Sequence, residues 1–157
     1  KLVSQWYVEG EGNKHLLSIL RKTRLTKVLT RLVDESEFLS DYGIRAMSKV
    51  YEENPFRFTV HGQEHVVYYT PAESDSRMFG GNSNWRGPIW FPINFLIVES
   101  LQRFHFFFGD ALTIEYPKGS GVQKNLEEVS KDINDRLCKI FLKDENGNRA
   151  SERSQYY

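Results

Sequence analysis

The chain has 157 residues, 39% of them hydrophobic and 14% aromatic, which is enough to enclose one core and little more. Lys plus Arg and Asp plus Glu number 21 each, so the formal net charge is zero and no long-range field exists to gather nucleic acid or an anionic membrane surface. The single cysteine, Cys138, excludes an internal disulfide, and no stretch resembles a signal peptide or a membrane span.

In chain order, Leu16, Leu17, Ile19, Leu20, Leu25, Val28, Leu29, Leu32 and Val33 fall at helical spacing with Arg and Lys opposite, which predicts one or two helices between Lys14 and Val33. Asp41 reads as the N-cap of a further helix through Ile44, Met47 and Tyr51, ended by Asn54-Pro55. The period then becomes two. Phe56, Phe58 and Val60 alternate with polar residues, His61-Gly62-Gln63 turns the chain, and Val66 and Tyr68 resume the alternation, predicting a β-hairpin near residues 56–69. Thr70 to Gly87 is a long loop rich in Ser, Asn, Asp and Gly, and a loop of that length is seldom idle in a compact domain.

Pro88 or Pro92 opens the next helix, with Ile93, Leu96, Ile97, Ser100, Leu101, Phe104 and Phe108 on one wide apolar face and Gly109 at its C-terminal end. A second loop, Ile114 to Lys124, holds Gly119-Ser120-Gly121, which reads as a turn because it lacks the lysine and hydroxyl spacing of a nucleotide loop. Asn125 caps a last helix, Glu128 is placed to reach back, and Leu126, Val129, Ile133, Leu137, Ile140 and Phe141 form its buried stripe. Cys138 beside Leu137 reads as a buried or half-buried thiol, and the polar chain beyond Lys143 is expected to fray.

The segment richest in chemistry is residues 80–96, where Trp85 and Trp90 stand five apart among Gly80, Gly81, Asn82, Ser83, Asn84 and Arg86. A sugar offers weakly apolar C–H faces and a rim of hydroxyls, so its site needs rigid aromatic platforms flanked by fixed donors and acceptors. The competing structural reading is a loop anchored by two buried indoles; the paired glycines and the excess of polar side chains favour a site. His61 and His65 have a zinc-like spacing but fall on a hairpin without a third ligand, so no metal is expected, and no cofactor motif occurs. His105 reads as a core or rim histidine. Glu73 and Asp75 precede the loop, Glu99 lies on the helix after it and Asp41 at the start of an earlier one, and spacing nominates no acid and base pair among them.

Asn84-Trp-Arg-Gly-Pro-Ile-Trp-Phe-Pro-Ile-Asn-Phe-Leu96 resembles the tryptophan–arginine–glycine–proline block of glycoside hydrolase family 63, the family of the processing α-glucosidase I. Upstream, Phe38-Leu-Ser-Asp-Tyr-Gly-Ile-Arg-Ala-Met-Ser48 resembles the second signature of that family, and the order and separation of the two blocks fit. The resemblance implies a mainly α fold that is part of an (α/α)6 toroid, with residues 1–157 forming an internal slice of the catalytic domain, as a start at Lys1 also leads one to expect. It implies an inverting α-glycosidase acting on gluco- or manno-configured oligosaccharides or glycosides. Gly81, Asn84, Trp85 and Trp90 then map to the sugar cleft, and Arg86 and Asn94 to bracing of the loop, although Asn84 stands where other branches carry tyrosine. The catalytic aspartate and glutamate of the family lie before and after such a slice, so the slice alone is expected to be inactive.

The alternative from another class is a non-catalytic carbohydrate-binding or scaffold module, or an inactive truncated product. Apolar helix faces that expect neighbours on both sides are expected to drive self-association when the slice stands alone. The lack of a leader and the single cysteine slightly favour the cytoplasm, without fixing an address.

Overall fold

The computed structural model describes residues 4–7, 15–69 and 89–152. Three α-helices and four two-stranded antiparallel pairs make up the described residues, so helix predominates while strand is more frequent than the one hairpin foreseen. In order they are β1 (Ser4–Tyr7), β2 (His15–Ser18), α1 (Lys22–Leu32), β3 (Leu39–Ser40), β4 (Gly43–Ile44), β5 (Phe56–Val60), β6 (Gln63–Val67), α2 (Phe91–Phe108), β7 (Thr113–Glu115), β8 (Gln123–Asn125) and α3 (Leu126–Lys139). The pairs are β1 with β2, β3 with β4, β5 with β6 and β7 with β8.

Helix α1 begins later than its apolar spacing implies, because Leu16 and Leu17 belong to β2, paired with Trp6 and Gln5 of β1. The helix predicted from Asp41 to Tyr51 does not form. Gly43 sits at φ +113°, which no helix accommodates, so residues 39–44 make a two-residue hairpin and only a short 3-10 turn follows at Lys49–Tyr51. The hairpin at 56–67 is where the alternation places it, with Phe56 opposite Val67 and Val60 opposite Gln63 around the His61-Gly62 turn. His61 there takes φ +51° and is exposed in the turn, while His65 stacks on Phe58 with ring centres 5.3 Å apart, a packing role.

Helix α2 starts with proline in its first turn and ends at Gly109, whose φ of +54° suits glycine. Only Leu101 of its foreseen face is fully buried; Asn94 and Phe107 are the other buried residues, while Ile93 and Leu96 are exposed. Helix α3 has the capping box read from the sequence: Asn125 Oδ1 accepts the Glu128 N–H at 2.9 Å and Glu128 Oε2 accepts the Asn125 N–H at 2.9 Å. Its stripe of Leu126, Val129, Ile133 and Leu137 is buried, but the helix stops at Lys139 and Phe141 is exposed. Cys138 is exposed as well, against expectation, because it lies on the flank of α3 beside that stripe. The segment after Lys143 turns back on itself, with Lys143 bridged to Arg149 and the Asp144 carboxylate accepting the Asn146 and Asn148 N–H groups.

One core unites these pieces. Leu25, Leu29 and Val33 from α1 meet Leu39 and Ile44 from the small hairpin, Leu101 from α2, Leu112, Ile114 and Tyr116 around β7, and the α3 stripe. Each such aliphatic side chain removed from water contributes roughly 1.5–3 kcal/mol before entropy is counted. Polar ties join the same elements. Lys118 Nζ lies 2.5 Å from Asp34 Oδ2 and its N–H donates to the Val33 carbonyl, securing the 117–121 turn to the end of α1. No helix among the described residues is long and apolar enough to cross a membrane.

Candidate functional site

The small hairpin of residues 39–44 and the start of α2 lie against each other, and the side chain responsible is Asn94. Its Oδ1 accepts the Ile44 N–H at 2.8 Å and its Nδ2 donates to the Ile44 carbonyl at 2.9 Å, so a carboxamide serves as the missing strand partner of β4. The same Nδ2 donates to the Trp90 carbonyl at 3.1 Å. Next to these bonds, Arg45, the residue after Ile44, and Ile89, the residue before Trp90, form an isolated antiparallel bridge. The two sequence blocks are therefore stitched together by backbone and side chain at adjacent positions.

The hairpin is held from its other sides too. The Arg45 guanidinium donates to the carbonyls of Glu35, Glu37 and Leu39, tying off the turn after α1. Arg31 meets Glu37 through Nε at 3.0 Å and Nη2 at 2.6 Å, a bidentate pair on the same turn. From α3, Arg136 donates to the Ser40 carbonyl at 2.8 Å and to Asp132 Oδ2 at 2.6 Å, and Tyr116 donates its hydroxyl to the same carboxylate oxygen. Burial by itself would raise the Asp132 carboxyl, but the hydrogen bonds from Tyr116 and Arg136 outweigh it and hold the group below the usual carboxylate range. Burial and that same bond push the Tyr116 hydroxyl up, so it stays protonated and donating.

Trp90 occupies the residue just before α2, with extended backbone at φ −92° and ψ 105°, and is half-buried. It borders a concavity of about 280 Å³ whose walls include Leu32, Phe38, Ile44, Arg45, Ile93, Asn94 and Ile97. An indole beside an aliphatic wall, with a guanidinium at hand, is a surface that can take the C–H face of a ring and a few hydroxyls. Among the described lining residues none is a carboxylate, so this surface can bind and orient but not protonate a leaving group.

Of the five residues expected to line the binding loop, Trp90 is the one that falls among the described residues. Gly81, Asn84, Trp85 and Arg86 lie outside the described residues, as do Glu73 and Asp75. Asp41 is exposed in the β3–β4 turn and caps no helix, and Glu99 lies 3.7 Å from Arg103 one helical turn on, an ordinary surface pair. His105 is half-buried with Nδ1 lacking a hydrogen-bond partner among the described residues. Among the described residues no group of three or more His, Cys, Asp and Glu is gathered as a metal site would need. Gly119-Ser120-Gly121 is the turn between β7 and β8, its Gly121 N–H donating to Glu115 Oε1. Sequence reasoning gave Gly43 and Arg45 no role of their own. The signal available was a glycine and an arginine flanking one apolar residue in a stretch too short and too polar for a stable helix.

Comparison with known proteins agrees with the two stitched blocks. The family model for the glycosyl hydrolase family 63 C-terminal domain matches residues 14–145. The chain is 55% identical over 142 residues to uncharacterized protein YMR196W of Saccharomyces cerevisiae, covering 90% of this chain and 13% of that protein. It is also 35% identical over 80 residues to a Schizosaccharomyces pombe protein named as a probable mannosyl-oligosaccharide glucosidase, covering 51% of this chain and 7% of that one. The chain thus spans a small part of the length of the curated relatives it matches, and no solved structure matches it. With the match extending over both blocks and most of the residues between and around them, this chain belongs to glycosyl hydrolase family 63.

Proposed function

We propose that the chain is part of an inverting α-glycosidase for gluco- or manno-configured oligosaccharides or glycosides, and that it supplies the aromatic side of the sugar cleft. The observation that carries this reading is the placement of Trp90 on the rim of an aliphatic concavity, held there by the second family block through Asn94. Gly81, Asn84, Trp85 and Arg86 complete the binding loop in this reading, with the indoles stacking on pyranose faces and the amide and guanidinium groups meeting hydroxyls. The general acid and base come from other segments of the same domain. Inversion requires those two carboxyls about 6.5–9.5 Å apart, with water between them on the far face of the ring.

The architecture that suits this role is an (α/α)6 toroid in which residues 1–157 form one slice. Exposed Phe95, Leu96, Phe106, Phe141 and Leu142 support it, since side chains of that kind on α2 and after α3 are suited to packing against further helices. The Schizosaccharomyces pombe relative, named for a mannosyl-oligosaccharide glucosidase, supports an α-linked glucose as the group removed.

Assay of the complete gene product against a panel of α-linked glucosides and mannosides, with the anomer of the released sugar followed by NMR, tests the reading. Release of the β-anomer is expected. The lack of carboxylates among the described residues of the concavity favours a second reading, a carbohydrate-binding module without chemistry. Sugar binding by the complete gene product with no hydrolysis of any member of the panel would establish that alternative.

A further inference from the structure

Asparagine is a poor helix-interior residue, because its amide competes for backbone groups outside the helix. Asn94 nevertheless stands in the first turn of α2, 1% exposed, with both ends of its amide engaged. Its partners are not on its own helix alone: two of its three bonds go to Ile44, fifty positions earlier, and the third goes to the Trp90 carbonyl. That carbonyl also receives the Asn94 backbone N–H at 3.1 Å, so two donors from one residue fix the peptide that carries the indole. Gly43 makes room for this approach, since a Cβ there would sit 3.0 Å from Asn94 Oδ1.

We infer that Asn94 is a positioning residue for the Trp90 platform, its carboxamide fixing the distance between the Ile44 strand and the Trp90 peptide and hence where the indole meets a gluco- or manno-configured ring. The inference rests on the glycoside-binding reading above. Physically, the Ile44 N–H and C=O need a partner in the interior whatever the function. A partner that in addition grips the peptide before α2 turns that requirement into a gauge for the binding surface. A platform displaced from the ring face loses stacking on the bound sugar in ground state and transition state alike, so the gauge has a measurable consequence in affinity.

The test is a double-mutant cycle in the complete gene product, using the best glucoside or mannoside of the panel. Asn94→Asp keeps the size and one acceptor while losing both Nδ2 donors. It is expected to raise KM about tenfold with kcat within about twofold, as loss of binding shared by ground state and transition state requires. In a Trp90→Ala background the same substitution is expected to leave KM where Trp90→Ala alone puts it, because the group through which Asn94 acts is gone. Independent, multiplying effects of the two substitutions, or a fall in kcat at constant KM, would overturn the inference. If Asn94→Asp does not fold, Asn94→Ser enters the same cycle; failure of both to fold assigns the residue to the core alone and also overturns it. A wild-type protein inactive on the whole panel removes the glycosidase reading, and this inference with it. That outcome is distinct from an active wild type with independent mutational effects, which removes the inference alone.

Discussion

The Asn94 carboxamide and the backbone of Ile44 exchange two hydrogen bonds, at 2.8 and 2.9 Å, in the manner of two paired strands although one partner is a helix side chain. A β-strand two residues long has almost no pairing of its own, and an orphaned pair of buried peptide groups costs several kcal/mol. The carboxamide removes that cost at the point where the chain turns beside the start of α2. Polar satisfaction of the core and placement of the candidate sugar surface are thus one and the same contact.

Among the described glycines, Gly43 is the one least tolerant of a side chain. Its φ of +113° is strained for any L residue, and an added Cβ would meet Leu137 Cδ2 at 2.7 Å and Asn94 Oδ1 at 3.0 Å. Gly43→Ala is expected to destabilise the domain by roughly 2–4 kcal/mol, strain and overpacking together. Urea unfolding of the complete protein measures it; a loss under about 0.5 kcal/mol would mean that the turn relaxes freely.

Trp90→Ala is expected to weaken glycoside binding by about tenfold, and Trp90→Phe by much less, because a flat ring survives in the second variant. KM and direct titration with substrate on the complete protein report the effect. Equal behaviour of Ala, Phe and wild type, with the fold intact, would leave the concavity without a role in binding.

Acid should loosen two of the ties described. Burial raises the Asp34 carboxyl, but hydrogen bonds from Lys118 and Ser36 outweigh it, so its pKa in the folded state is below the ordinary value, as for Asp132. For groups shifted down, the stabilisation is complete above the unfolded pKa near ~4 and is lost as pH falls through the lower folded values. Melting temperature should therefore decline below about pH 4. Asp34→Asn should lower stability at neutral pH while making that decline shallower. An unchanged slope would show that the Asp34 and Lys118 pair is energetically silent.

The isolated 157-residue chain is expected to self-associate. Phe95 and Phe141 are 62% and 57% exposed, and the Phe91 and Phe141 rings lie 5.5 Å apart beside an apolar groove that also holds Leu137 and Cys138. A formal charge of zero offers no repulsion to oppose contact. Sedimentation should find oligomers, and Phe95→Glu with Phe141→Glu should shift them towards monomer. A cooperative, monomeric wild-type chain would show that these faces need no cover.

Local patterns were legible where one element decides its own structure. The alternation at 56–67, the Asn125 and Glu128 capping box, the proline start and glycine end of α2, and the stripe of α3 all depend on neighbours within a few residues, and all stand where the sequence places them. The region 39–51 was not legible as a hairpin. Its Asp41 and apolar spacing imitate a helix start, and what prevents the helix is the φ of Gly43 together with Asn94 arriving from fifty positions beyond Ile44 in the chain. Phe141 and Cys138 were misjudged for a related reason, since spacing gives the face of a helix but not where the helix stops or how much of that face is covered.

The sequence by itself determined the family, through two short blocks whose residue types and order are specific, and it nominated the indoles near residues 85–90 as candidates for stacking on a sugar. Only the tertiary structure decided that the first block serves the second, through one buried carboxamide and one arginine, and that Trp90 borders a concavity rather than filling it. The reason is physical: periodicity and capping are short-range and are written in consecutive residues, whereas the partner of a buried peptide group is chosen by whichever side chain the whole chain brings within hydrogen-bonding distance.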